Sequence, residues 1–303
     1  MNLLTLASRN VYRHRHRSVV TILAMAFACT MMIVFAALME GFAIGSERNV
    51  VSMNTGDIQI HLPGYRDDPD IYSLIDNADQ LVTQFRSEQF YATERLFAFG
   101  LMASEQSSSG VQLRGVDLDY EPTVTDIDQH IMTGEWLSAD DKQGVVIGKK
   151  LSKLLDVGLG DELVFVGQTA DGYMANDSFQ IKGILKSVSA TIDNAGVFMS
   201  NGMLRELITL PKGAHELVLM RIDRTGDLTL TTDQIKRSLA ADLEVMNWQQ
   251  LMPVINRFLE TAHIQTLIMM IFTYIAVASV VLNAMLMSVF ERIHEFGIMK
   301  AIG

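Results

Sequence analysis

Phe290-Glu291-Arg292-Ile293-His294-Glu295-Phe296-Gly297-Ile298-Met299-Lys300-Ala301-Ile302-Gly303 follows a run from Ile264 to Phe290 that carries no charge. As a helix that run measures roughly 40 Å, against a hydrocarbon core of about 30 Å. It reads as a transmembrane helix that tilts or projects beyond the bilayer as a stalk. A charged, glycine-punctuated segment leaving such a span is where a membrane protein meets a partner in water. A second uncharged run, Ser18 to Met39, makes a helix of roughly 33 Å and also suffices to cross. No other window of that length lacks charges. The chain is therefore read as two spans enclosing a large intervening domain.

Composition supports the division. The 303 residues are 49% hydrophobic, and the mean hydropathy is +0.21. That is too apolar for an ordinary soluble enzyme and too polar for a protein wholly in the membrane. The net charge of −11 is unevenly spread: residues 1–17 carry four arginines and no acid, while the acidic excess lies between the spans. Arginines 9, 13, 15 and 17 place the N-terminus in the cytoplasm. The central domain is then extracytoplasmic and residues 291–303 are cytoplasmic again. The first apolar run exceeds a signal-peptide core and continues into Met31-Met32-Ile33-Val34-Phe35 without a small-residue cleavage site, so it reads as an uncleaved span. Cys29 is the only cysteine and lies within that span. The exported domain therefore holds together by its core, without a disulfide.

Along the chain, residues 1–17 suggest an interfacial amphipathic helix or a plain basic flank, with Leu3, Leu4, Ala7 and Val11 at helical spacing. Residues 18–42 are the first span, 43–247 the extracytoplasmic domain, 248–290 the stalk and second span, and 291–303 a cytoplasmic coupling segment. In the domain, Ile58, Ile60 and Leu62 alternate with polar residues as a half-buried strand. Strands are also expected over 111–116, 145–147, 162–166, 179–185, 197–199, 216–222 and 244–247. Helices are expected over 78–86, 148–155 with Leu151, Leu154 and Leu155 buried, 201–208 capped by Ser200, and 232–241. A further helix is expected to run from Trp248 into the second span. This alternation argues for an α+β domain, in two lobes parted near Gln106-Ser107-Ser108-Ser109-Gly110. Between the strands 162–166 and 179–185 lies a twelve-residue hairpin loop, 167–178. Its residues Gln168, Asp171, Tyr173 and Met174 are candidates for docking a partner, the latter two being apolar in polar surroundings.

No catalytic pattern emerges. The chain has no P-loop, so any ATP-driven role needs a separate ATPase subunit. It has no GxSxG, HExxH or CxxC. His14 and His16 are flanked by arginines that disfavour a cation. His61, His130 and His215 lack paired spacing and are expected at the surface. The acidic Asp67-Asp68-Pro69-Asp70 lacks EF-hand spacing and reads as a solvated turn. Methionines 25, 31, 32, 39, 269, 270, 285 and 287 lie in or beside the spans, where flexible apolar packing explains them better than a copper site. No metal, cofactor or nucleic-acid partner is expected of the chain itself.

The pattern E-R-x-x-E-x-G-x-x-K-A-x-G of residues 291–303 resembles that of the MacB/LolC/LolE/FtsX superfamily of ABC-transporter permeases. Val146 to Leu163, with Gly148, Leu151 and Gly158-Leu159-Gly160-Asp161, resembles a second segment of that family. Phe179-Gln180-Ile181-Lys182-Gly183-Ile184-Leu185 resembles its "F-x-V-x-G-I" strand. The layout is most similar to the lipoprotein-releasing LolC/LolE-like branch. MacB-type pumps carry a fused ATPase before the first span, and FtsX-like proteins have a smaller exported domain. Relatives carry two more spans after the motif, so the resemblance implies a chain truncated after its second helix.

The resemblance implies a MacB periplasmic-core-like domain between two transmembrane helices in the inner membrane. It implies a non-catalytic permease subunit working by mechanotransmission, driven by a cytoplasmic ATPase dimer that binds ATP and Mg. Glu291, Arg292, Glu295 and Lys300 would pair with the ATPase, and Gly297 and Gly303 would allow close approach or a bend. A second permease subunit, identical or homologous, would pair through the spans. Met31, Phe35, Leu267, Met270 and Ile271 are candidates to line a hydrophobic groove between them. The substrate would be a lipoprotein or lipid, passed to a periplasmic carrier docked on loop 167–178. Alternatives are a MacB-like efflux permease, an FtsX-like signalling permease that activates a cell-wall hydrolase, and a membrane-anchored sensor.

Overall fold

The structure, a computed structural model, describes residues 15–290 and 293–302. The amphipathic segment read at the N-terminus lies almost wholly outside them. The chain divides into two units: the long helices, up to Ser46 and from Val254, and the intervening domain Glu47–Pro253.

In the helical unit, helices Arg15–Val50 and Pro253–Phe290 are each long and apolar enough to cross a membrane. The first continues past the expected span through Gly41 and Gly45, since nothing in that stretch removes a backbone donor. Its less exposed residues recur every three or four positions, at Thr21, Met25, Ala28, Met32, Ala36, Met39 and Ala43. That spacing marks one face of a helix. The Phe42 and Phe258 rings meet edge-on at 5.7 Å. Thr30, Thr266, Thr273 and Ser279 donate their hydroxyls to the carbonyl four residues back, so none brings an unpaired donor into the apolar stretch.

The domain is built on ten strands: β1 Ile58–His61, β2 Phe90–Ala103, β3 Ser108–Val116, β4 Ile131–Gly134, β5 Gly144–Ile147, β6 Glu162–Gln168, β7 Met174–Leu185, β8 Gly196–Ser200, β9 Glu216–Arg221 and β10 Glu244–Asn247. The pairings β2–β3, β3–β8, β8–β5, β5–β7, β7–β6 and β6–β2 close a ring. Leu96, Ala98, Met102, Leu113, Phe165, Phe179 and Val197 alternate along these strands, and all are buried in one core. Helices Lys149–Leu155 and Asn201–Leu207 add Leu151, Leu155 and Leu204 to it. The first half of β2 leaves the ring and pairs with β9, extending the sheet through β1 to β10. Helices Ala78–Ser87 and Leu228–Ser238 pack on that extension through Leu81, Val82, Phe85 and Ile235.

Several expectations are corrected. β2 is not among the expected strands, yet it is the longest and belongs to both halves of the sheet. The supposed lobe boundary at 106–110 is a tight turn and the start of β3; Ser104 donates its N–H to the Ser107 carbonyl at 2.8 Å. The twelve-residue loop shrinks to Thr169–Tyr173, because Met174, Asn176 and Ser178 are cross-strand partners of Gln168, Val166 and Val164. β1 is buried on both faces, since β9 and β10 flank it and further chain covers Gln59 and His61. Leu154 faces solvent, one position off the buried stripe of Leu151 and Leu155. The helix expected from Trp248 is instead a single turn, Trp248–Leu251. It is capped reciprocally by Asn247 and Gln250, and Pro253 opens the long helix in the position its ring favours.

Gly100 and Gly167 are register partners facing into the ring. A Cβ on Gly167 would stand 2.5 Å from Cζ of Phe165 and one on Gly100 2.6 Å from the same ring. The two glycines thus make room for Phe165, one of the two largest side chains of that core. Gly167→Ala is expected to cost about 1–3 kcal/mol by overpacking. In a double-mutant cycle of thermal unfolding, Gly167→Ala with Phe165→Leu should cost less than the sum of the singles. Simple additivity would show that the ring does not set the need for glycine.

Candidate functional site

Three predicted sites fall at different places. Of the coupling residues, Glu291, Arg292 and Gly303 lie outside the described residues. Glu295, Gly297 and Lys300 stand on helix Ile293–Ile302, with Lys300 exposed in its last turn. Gly297 is inside the helix rather than at a break; beyond the neighbouring backbone of its own helix, nothing among the described residues lies within 4 Å of where a Cβ would be. It is an exposed, open spot.

The docking residues cluster at the end of the β6–β7 hairpin. Gln168 pairs with Met174 across the strands, Asp171 is in the turn, and Tyr173 and Met174 are 74% and 77% exposed. Gln168 also reaches the Tyr72 hydroxyl at 3.5 Å. The arm is a five-residue turn on a rigid hairpin. The groove residues Met31 and Phe35 share one helix face, and Leu267, Met270 and Ile271 share a face of the other helix, by their spacing. All five are exposed, and Met31 and Phe35 lie off the less exposed stripe of their helix.

The sequence reading missed a buried ionic cluster on the outer face of the ring. Arg95 of β2 makes a two-pronged contact with Glu121, donating from Nε at 3.2 Å and from Nη2 at 2.5 Å. Its Nη1 donates to Glu216 at 3.1 Å and to the Asn54 carbonyl at 2.6 Å. Arginine, two glutamates and the carbonyl are held together with almost no solvent. Burial by itself pushes the Arg95 pKa down, but Glu121 and Glu216 more than reverse this and it is raised. Asn54 lies in the π-helical turn Val51–Thr55 that follows the first long helix, so the cluster binds that turn to β2, β9 and helix Glu121–Val124.

Next to it stands Arg114 of β3, the register partner of Phe97. It donates to Gln112 Oε1 at 2.9 and 3.0 Å and to Asn54 Oδ1 at 2.7 Å. Among the described residues no carboxylate forms an ion pair with it. Burial, then the positive charge of Arg95, push its pKa down to about 10. On the other side of Phe97 is His215, expected at the surface but fully buried. The Phe97 N–H donates to its Nδ1 at 3.1 Å, so the ring carries its hydrogen on Nε2, 3.3 Å from the Ile71 carbonyl. Tyr65 stacks on it at 5.6 Å. Burial drives its pKa down to about 4. His61 is buried as well, on β1. The available signal was a charged residue next to apolar ones within a strand: Arg95 before Leu96 and Phe97, and Arg114 after Leu113.

Two measurements follow. Arg95→Met should lower stability by about 3–5 kcal/mol, because two glutamates are left buried without a partner. Adding Glu121→Gln and Glu216→Gln should recover part of the loss in thermal unfolding. No recovery would mean that packing, not charge, is at stake. For His215, an unfolded imidazole takes up a proton near pH 6.5 while the folded one resists to about 4. Its contribution is therefore present above that window and lost as pH falls through it. Glu94, raised by burial, acts in the opposite sense, so the readout is the comparison with His215→Gln, which cannot titrate. The variant's melting temperature should fall less between pH 6.5 and 4 than the parent's; parallel curves would contradict the assignment.

Comparison with known proteins agrees with this architecture. The sequence profile of the MacB-like periplasmic core domain matches residues 18–238. An uncharacterised ABC transporter permease of Methanocaldococcus jannaschii is 24% identical over 189 residues, 61% of this chain and 45% of the relative. The chain thus spans less than half the length of that curated relative. Among solved structures, the periplasmic region of MacB from Actinobacillus actinomycetemcomitans is 18% identical, with a TM-score of 0.46, covering 68% of this chain and 94% of its own. The extracellular domain of the noncanonic ABC-type transporter YknZ from Gram-positive bacteria is 11% identical, with a TM-score of 0.42, covering 63% and 100%. Two apolar helices flank a central α+β domain of this type, and the chain belongs to the family of the MacB-like periplasmic core domain.

Proposed function

We propose that the chain is the permease subunit of a mechanotransmission-type ABC transporter. A separate cytoplasmic ATPase dimer drives it, a second permease subunit pairs with it, and it handles lipoproteins or lipids at the outer face of the inner membrane. The reading is carried by the second long helix. It runs unbroken from Pro253, directly after the domain, to Phe290, and helix Ile293–Ile302 with Glu295, Gly297 and Lys300 follows. An uninterrupted helix is a stiff rod, suited to relaying the opening and closing of an ATPase to an exported domain without passing substrate through the bilayer. Glu295 and Lys300 offer charges of both signs to the ATPase surface, and Gly297 offers room. The acidic exported domain and the basic N-terminus support a cytoplasmic start.

Co-expression with the ATPase encoded beside this gene tests the reading. The ATPase is expected to co-purify in detergent. Gly297→Leu, which fills the open spot, and Glu295→Lys should each lower co-purification or stimulated ATP hydrolysis several-fold. Mass spectrometry of bound material should show lipid or a lipidated protein. Absence of an associated ATPase, or indifference to both substitutions, would overturn the coupling role.

A further inference from the structure

A cleft of about 380 Å³ opens on the outer face of the ring beside the ionic cluster. That lies within the usual size of ligand sites. Its polar wall includes Asn54, Gln59, Arg66, Gln112 and Arg114. Arg66 is exposed at the mouth and donates weakly to Gln59 at 3.4 Å and to the Leu251 carbonyl at 3.3 Å. Arg114 uses three of the five N–H donors of a guanidinium on neutral amides. Of the carboxylates, Glu216 lines the cleft but is bonded to Arg95, and Asp70 nearby is occupied by the Tyr72 and Ser73 N–H groups and the Ser73 hydroxyl. Two guanidiniums without a carboxylate partner among the described residues thus face one cleft. A fork of N–H donors of this kind matches the oxygens of a phosphate.

The same strands continue from the cleft into apolar surface. Phe97 and Arg114 are paired, and the next outward positions are Phe99 with Gln112 and Leu101 with Gly110. Leu101 pairs in turn with Val166, and Val164 lies two positions along. Phe99, Leu101, Val164 and Val166 are all exposed. Outward positions on one strand are about 6.7 Å apart and cross-strand neighbours about 5 Å. The strip therefore begins within one step of the cationic cleft, and its immediate cross-strand neighbours, Gln112, Gly110, Asn176 and Ser178, carry no charge. A contiguous apolar patch on an exported domain marks a contact site, and the adjoining positive charge decides its occupant.

We infer that this face binds an anionic lipid, its phosphate in the cleft against Arg66 and Arg114 and its acyl chain along Phe99, Leu101 and Val166. The inference deepens the lipid-handling reading above and rests on it.

Isothermal titration of the full chain in an uncharged maltoside detergent, with three probes, tests it. Dihexanoylphosphatidic acid should bind tightest, inorganic phosphate more weakly, and dihexanoylglycerol weakest. Arg66→Gln, at an exposed position, and Arg114→Gln should each weaken the phosphatidic acid about tenfold, or about 1.4 kcal/mol. Leu101→Ser should weaken the lipid and leave phosphate unchanged. Equal binding of lipid and phosphate with a silent Leu101→Ser would make this a site for free phosphate and overturn the lipid assignment. Lipid binding indifferent to both arginines would overturn the site. A chain that still couples to its ATPase but binds no phosphatidic acid would sink this inference alone; loss of ATPase coupling in the parent protein would sink the permease reading.

Discussion

The Arg95 guanidinium is the point on which four segments of the domain depend. It is buried, so its charge is tolerable only with both glutamates present. Its remaining bond goes to the carbonyl of Asn54, four residues after the first long helix ends. An apolar cluster of the same volume would stabilise the domain at least as well. Directional bonds add something else: they fix the turn that follows the helix at one position against β2 and β9. Trp248 is tied similarly, donating its N–H to the Asp57 carbonyl at 3.0 Å. Asp57 in turn accepts from the backbone and guanidinium of Arg221. Both segments that connect the domain to the long helices are thus hydrogen-bonded to the same part of the sheet.

The ring makes that anchorage rigid. Closing six strands on themselves removes the free edges that a short sheet would expose, and the enclosed core is filled by Phe165, Phe179 and the leucines around them. β2 is long enough to serve both the ring and the extension, so Arg95 sits where the two meet. Displacing it means disturbing two packed cores, which do not deform gradually. A domain with no disulfide gains its stiffness from this closure.

Much of this was legible in the residues. Uncharged runs longer than a bilayer gave both long helices, and alternation gave most of the strands. Ser200 marked its helix correctly, accepting from the Met203 N–H. What failed has a common physical origin. Treating charge as a sign of solvent is right for Asp67 and Asp68 and would fail for Arg95, whose carboxylate partners Glu121 and Glu216 are 26 and 121 residues away in sequence. His215 was expected at the surface for want of a paired spacing, and the polar half of β7 was read as a loop. Pairing register, absent from any local window, decides both. The coupling motif was read from resemblance to a family, and its outer charges lie beyond the described residues.

The cleft draws these observations together. Its wall includes Asn54, held by Arg95 and Arg114, and Met252, the residue immediately before the second long helix. Arg66, at its mouth, also holds the Leu251 carbonyl. A ligand that engages Arg66 and Arg114 therefore competes for, or reinforces, the very bonds that position both connecting segments. A ligand shifts a conformational equilibrium only as far as it prefers one state, and here the groups it would touch are ones that hold the connecting segments in place. Linkage is reciprocal: if movement of the connecting segments changes the affinity of this face for an anionic lipid, the bound lipid changes the ease of that movement by the same factor.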